Sequence, residues 1–203
     1  MIPCVRPEAR RGGQAGVEPR ALAKPGPAPG SCALVARGSL LGFWRCISPT
    51  AVPLSDAEFD AILKDCTKLI EGDIVWQEDE DHSPSLEFKV EIATAGGWPL
   101  FMKGTYNPLV PAISYALISK ASGRIYALDL GKGHKNPDGG RVGDTHKHRW
   151  SEEFKDKKAY EPGDITATPD NPIQAWQEFC QEVTILHNGR MHPPPPVQGD
   201  LFL

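Results

Sequence analysis

The chain has 203 residues, of which 24% are charged and 40% hydrophobic, enough for one globular domain and an extension. Its longest uncharged apolar run falls far short of the roughly 18 to 20 residues that cross a bilayer, which excludes a helical membrane protein. Five cysteines (Cys4, Cys32, Cys46, Cys66 and Cys180) are scattered with no CxxC pair, which argues against a disulfide scaffold or a zinc finger and fits a reducing, cytoplasmic location.

Residues 1–52 carry Pro and Gly throughout with no sustained apolar period, so they are expected to be a disordered or non-native N-terminal extension. Their Arg-rich, acid-poor character resembles a transit peptide, whereas the apolar core of a secretory signal is cut short between Arg37 and Arg45. Ser55 then opens a helix with the capping box S-D-A-E, followed by Phe59, Ile62, Leu63, Cys66, Leu69 and Ile70 on one stripe that ends near Gly72. From there the apolar period switches to two. Strands are expected near 73–78, 86–94, 99–106, 113–121, 124–130, 145–150 and 157–161, and their short connections mean an antiparallel meander. A second helix begins at T-P-D-N-P, with Pro172 at its first position and Ile173, Trp176, Cys180 and Val183 as its buried stripe. The expected fold is one α+β domain over 53–188, an antiparallel β-meander sheet flanked by an N-terminal and a C-terminal helix. Phe59, Leu63, Ile70, Trp176 and Phe179 belong to its core, and a flexible Pro-rich tail fills 189–203. There is no internal repeat, no Gly-rich phosphate loop and no sequence-specific DNA-binding motif.

Charge singles out one segment. Residues 51–203 hold 15 Lys and Arg against 24 acids, a net −9 that repels nucleic acid in general. Within 131–158, however, eight basic residues face five acidic ones, so +3 stands against −12 in the rest of the body. The same segment holds three of the six histidines. His146 and His148 are two apart, which in a strand puts both imidazoles on one face. His134, Asn136 and Asp138 lie in a loop whose N-P-D-G turn folds back towards that face.

Three readings compete for this cluster. In the leading one, His134, His146, His148 and Lys158 move protons or meet the phosphate, while Asn136, Asp138, Lys147, Arg149, Lys157 and Tyr160 bind substrate. This would be a metal-independent, ribonuclease-like phosphodiesterase that needs no cofactor and acts on RNA or another phosphate-bearing partner. In the second, His134, His146 and His148 bind a divalent metal, with Glu152 or Asp138 as a carboxylate ligand. H-x-H-x3-E is similar to the first motif of cupins, but the later histidine strand of a cupin is missing and the neighbouring lysines repel a cation. In the third, the strand is only an edge guarded by charge, and the acidic body is a non-catalytic accessory or antitoxin-like module that binds a basic partner protein.

The order of motifs also resembles a family of uncharacterised bacterial proteins classed as a domain of unknown function. The match falls on Leu128-Asp129-Leu130, His134 to Gly139, His146 to His148, Asp156 to Tyr160 and Lys103 to Tyr106. Ala127 stands where that pattern has a basic residue, and Lys158 where it has a tryptophan. The resemblance implies a bacterial cytosolic protein, and the basic histidine cluster then suggests a toxin- or defence-like role; the resemblance itself does not choose between catalysis and binding.

Overall fold

The computed structural model describes residues 54–196, so the expected N-terminal extension and the end of the tail lie outside the described residues. Helix α1 (Asp56–Lys64) starts as the capping box requires: the Ser55 hydroxyl accepts from the Glu58 amide and the Glu58 carboxylate accepts from the Ser55 amide. It ends at Lys64, eight residues before Gly72, to which the apolar stripe alone would have carried it. Asp65 leaves the helical conformation and accepts hydrogen bonds from the Thr67 amide and hydroxyl. The fully buried Lys68 ammonium then donates to the carbonyls of Ile62, Leu63 and Asp65, which are the orphans of the helix end. Leu69–Glu71 is accordingly a short strand, β1, whose Ile70 is buried all the same.

Seven strands form the main sheet: β2 (Gln77–Glu78), β3 (Leu86–Ile92), β4 (Leu100–Asn107), β5 (Ala112–Ser119), β6 (Gly123–Leu130), β9 (Thr145–Arg149) and β10 (Ala159–Tyr160). Their spatial order is β10-β9-β6-β5-β4-β3-β2, every neighbouring pair antiparallel. Between β6 and β9 the chain makes a separate hairpin of β7 (His134–Lys135) and β8 (Arg141–Val142). The meander is the one that the alternating pattern predicts, although β2 and β10 are shorter than their sequence runs.

Helix α2 (Pro172–Glu182) follows an Asn171 cap with Pro172 at its first position. It lies on one face of the sheet and brings Trp176 against Phe88 and Tyr115, and Phe179 against Tyr115 and Tyr126. Gly104 makes room for this cluster, because a Cβ there would come within 2.1 Å of the Phe88 ring. Phe59 of α1 reaches the same core at Tyr126, and the Tyr115 hydroxyl donates to the Pro172 carbonyl. Of the five expected core residues, Phe59, Ile70, Trp176 and Phe179 are buried and Leu63 packs at the margin.

The chain after α2 stays on the body longer than its composition suggests. Strand β11 (Leu186–Asn188) pairs in parallel with β1. Residues 189–192, assigned by sequence to the flexible tail, run beside residues 72–74: the His192 amide donates to the Ile74 carbonyl, and Met191 is buried.

Candidate functional site: a three-histidine cluster

Both helices cover one face of the sheet, and the cluster lies on the other. Alternation along β9 decides which residues go where. His146 is the register partner of Asp129 on β6, and His148 is the partner of Ala127, so these four side chains share the helix-free face. The intervening Lys147 and the following Arg149 point to the helix side. There the Lys147 ammonium lies 2.7 Å from Asp164 and 2.6 Å from Glu182 of α2, while Arg149 pairs with Asp60 of α1 and lies over the Phe59 ring.

The loop after β6 folds over the two histidines and supplies the third. Asn136 fastens it by a reciprocal pair of bonds, its amide donating to the Ala159 carbonyl at 2.9 Å and its carbonyl accepting from the Ala159 amide at 2.7 Å. Asp138 closes the N-P-D-G turn by accepting from the Gly140 amide. His134 is thereby held over β9, with ring centroids 5.4 Å from His146 and 4.7 Å from His148; His146 and His148 are 5.1 Å apart. His146 and His148 are each only 2% exposed.

Each ring is fixed through one nitrogen by a backbone carbonyl. His146 Nδ1 meets Gly143 O at 3.0 Å, His148 Nδ1 meets Asp156 O at 2.8 Å, and His134 Nε2 meets Lys157 O at 3.1 Å. A carbonyl only accepts, so each of these nitrogens carries the proton. The opposite nitrogens, Nε2 of His146 and His148 and Nδ1 of His134, are left as lone-pair donors when the rings are neutral. One donor atom from each ring lies within 4.8 Å of the others. Asp129 Oδ2 sits among them, 3.1 Å from His148 Nε2 and 3.5 Å from His146 Nε2. Arg124 flanks the carboxylate at 3.8 Å and is anchored by Asp156 at 2.8 Å.

The electrostatics follow from these contacts. Burial tends to raise the Asp129 pKa, but hydrogen bonds from His146, His148 and Ser114 outweigh it and hold the carboxyl well below the ordinary carboxylate range. Burial tends to lower the His146 pKa, and its bonds to Asp129 and Gly143 outweigh that and raise it.

Three of the sequence-derived candidates therefore converge: His134, His146 and His148. Asn136 and Asp138 serve the loop that carries His134, and Lys157 contributes its main-chain carbonyl. The remaining candidates are elsewhere. Lys147 and Arg149 are committed to carboxylates under the helices, as the strict period of a strand dictates. Lys158 lies over the Phe154 ring and, with Tyr160, lines a helix-side cavity; the Tyr160 hydroxyl bonds to that of Tyr126. Of the two carboxylates of the metal reading, Asp138 is taken up by its own turn, and Glu152 exchanges hydrogen bonds with Asp56 at the start of α1 and is not at the cluster. The carboxylate present is Asp129, which sequence spacing did not single out. Its signal was the L-D-L run opposite H-x-H, legible only once β6 and β9 are placed side by side.

A model of a family of unknown function, DUF6978, matches residues 54–185. The chain belongs to this family. The matched span holds both helices, the whole seven-stranded sheet and all four residues of the cluster, and it ends before β11. No curated protein and no solved structure matches the chain. Among the described residues no helix is long and apolar enough to cross a membrane.

Proposed function

We propose that the cluster is a divalent transition-metal centre with His134 Nδ1, His146 Nε2, His148 Nε2 and Asp129 Oδ2 as ligands. The observation that carries this reading is the bonding of the second nitrogen of every ring to a main-chain carbonyl. That is how ligand histidines are oriented, because it fixes the tautomer and aims the lone pair at a common point. For metal–ligand bonds of about 2.1 Å, the ligand atoms of a tetrahedral site are about 3.4 Å apart. The Asp129 to histidine distances of 3.1 and 3.5 Å bracket that edge. Three imidazoles and a carboxylate suit zinc, iron, manganese, cobalt or nickel; an ion that takes six ligands keeps positions for water and substrate. Such an ion polarises a bound oxygen or supplies hydroxide near neutral pH.

A metal-free acid and base acting on RNA is the reading that the basic segment suggests, and the geometry supports it less well. In an acid–base pair a carboxylate orients the imidazole from behind and leaves the other nitrogen for substrate. Here the carbonyls stand behind, and the carboxylate faces the working nitrogens. The two readings separate in one experiment. Full-length protein purified without chelator is analysed for metals, then assayed for cleavage of single-stranded RNA with and without EDTA. Stoichiometric metal, lost when His146 and His148 are both replaced by Ala, is the expected result. A metal-free chain that cleaves RNA in EDTA and loses this activity on His146→Ala would overturn the metal reading.

A further inference from the structure

The cluster opens on one side into a cavity of about 320 Å³ at the end of the β4–β5 hairpin. Asp129, His134 and His146 form one wall, and Thr105, Asn107 and Lys132 are among the residues that line the rest. Lys132 reaches this place because Gly131 adopts a positive φ of 84° and packs against the hairpin; a Cβ there would come within 2.2 Å of the Pro111 carbonyl oxygen.

The hydrogen-bonding groups of the cavity lean towards donors. Lys132, an exposed residue of the lining, is its one cationic side chain and has no ion pair among the described residues. Asn107 spends its side-chain oxygen on the amides of Leu109 and Val110, so what it has left to offer is an NH₂ donor. Thr105 has a free hydroxyl, which can donate as well as accept. The one carboxylate on the wall, Asp129, is already engaged by His146 and His148. Space lined by an unpaired ammonium and spare donors, beside a cation site, is complementary to a ligand rich in acceptors and negative charge.

We infer that the cavity binds a small molecule through an oxyanion, a carboxylate or a phosphate, which lies between the metal centre and Lys132. This rests on the metal reading above and adds the ligand class to it. The volume is that of a small-molecule site, at the lower end of the roughly 300 to 1,000 Å³ such sites occupy. A polynucleotide is not its natural occupant.

The test uses the full chain loaded with Co²⁺, whose visible spectrum responds to a change of ligands. It is titrated in parallel with acetate, inorganic phosphate and a short single-stranded RNA. Saturable spectral change with acetate or phosphate is expected, and the arm that responds identifies the anion. Lys132→Gln should weaken that anion about tenfold with Co²⁺ stoichiometry unchanged, and Lys132→Arg should restore it. Co²⁺ bound without a response to either anion, or an affinity indifferent to Lys132→Gln, overturns this inference and leaves the metal centre standing. RNA that binds far more tightly than phosphate, in a Lys132-dependent and salt-sensitive way, overturns the small-molecule assignment. A wild-type chain that takes up no Co²⁺ overturns both readings.

Discussion

Asp129 and His146 face each other as direct register partners across the β6–β9 ladder, with Asp129 Oδ2 3.5 Å from His146 Nε2. The pairing places a carboxylate where two imidazole lone pairs meet, and it makes Asp129 the most informative residue to change. Asp129→Asn keeps the shape and removes the charge. Metal affinity measured by chelator competition should fall by about tenfold or more, as loss of an anionic ligand requires. Unchanged affinity would remove Asp129 from the ligand set.

The same pair gives the metal-free protein a pH signature. The His146 pKa is raised above its ordinary 6.5, so its contribution is complete below that value and is lost as pH rises through the higher, folded-state value. The Asp129 pKa is depressed below its ordinary 3.8, so its contribution is complete above that value and is lost as pH falls towards the folded-state one. The two overlap between pH 3.8 and 6.5, where the metal-free chain should draw most stability from the pair. Melting temperatures of apoprotein across pH 3 to 9 should show this rise, and His146→Gln should flatten it. With metal present the gain on lowering pH through the histidine range reverses, because protons compete with the ion for the same nitrogens.

Lys68 ends α1, and it does so from a fully buried position. Burial draws its pKa down to about 8, opposed by Asp65, while three carbonyls and the Thr184 hydroxyl accept its hydrogen bonds. Lys68→Met would remove the ammonium from those carbonyls and leave them only the Thr184 hydroxyl and the Asp65 amide, at a cost of about 2 to 4 kcal/mol in urea denaturation. A neutral effect would mean that water replaces the ammonium at the helix end.

Trp176 fills the space between α2 and the sheet, in edge-on contact with Phe88 and Tyr115 and 2% exposed. Trp176→Ala should lower stability by about 3 to 5 kcal/mol. A loss near zero would show that the helix is not docked in solution.

How much of this was legible in the sequence depended on the range of the signal. The meander, the capping box of α1 and the Pro172 start of α2 are local patterns, and they appear where the pattern places them. The end of α1 was not legible, because Leu69 and Ile70 fit a helical stripe as well as a strand, and only Asp65 and Lys68 acting together stop the helix. At the site, H-x-H fixed two imidazoles on one face, and the N-P-D-G turn announced the return of the loop. Asp129 was hidden because its proximity comes from strand register, which no spacing within one segment reveals. Lys147 and Arg149 were grouped with the histidines by charge, although strand alternation already assigned them to the opposite face.

That alternation leads to the sharpest separation between a ligand-binding and a structural lysine. Lys147 sits between the two ligand histidines in sequence, yet its side chain is only 1% exposed and lies on the helix side of the sheet between Asp164 and Glu182. If it held a phosphate, Lys147→Met would weaken anion binding and flatten its salt dependence. Its position argues for a different outcome. Removing the ammonium leaves the half-buried Glu182 carboxylate with the Tyr126 hydroxyl as its remaining donor, which should cost about 2 to 4 kcal/mol of stability, less than for a fully buried pair. The double variant Lys147→Met, Glu182→Gln removes both charges and should recover much of that loss, because replacing a buried ion pair with neutral groups is far cheaper than breaking it. Metal content and anion affinity of the folded double variant should match the wild type. If stability returns while anion binding remains lost, Lys147 reaches a ligand after all and the assignment of β9's two faces is wrong.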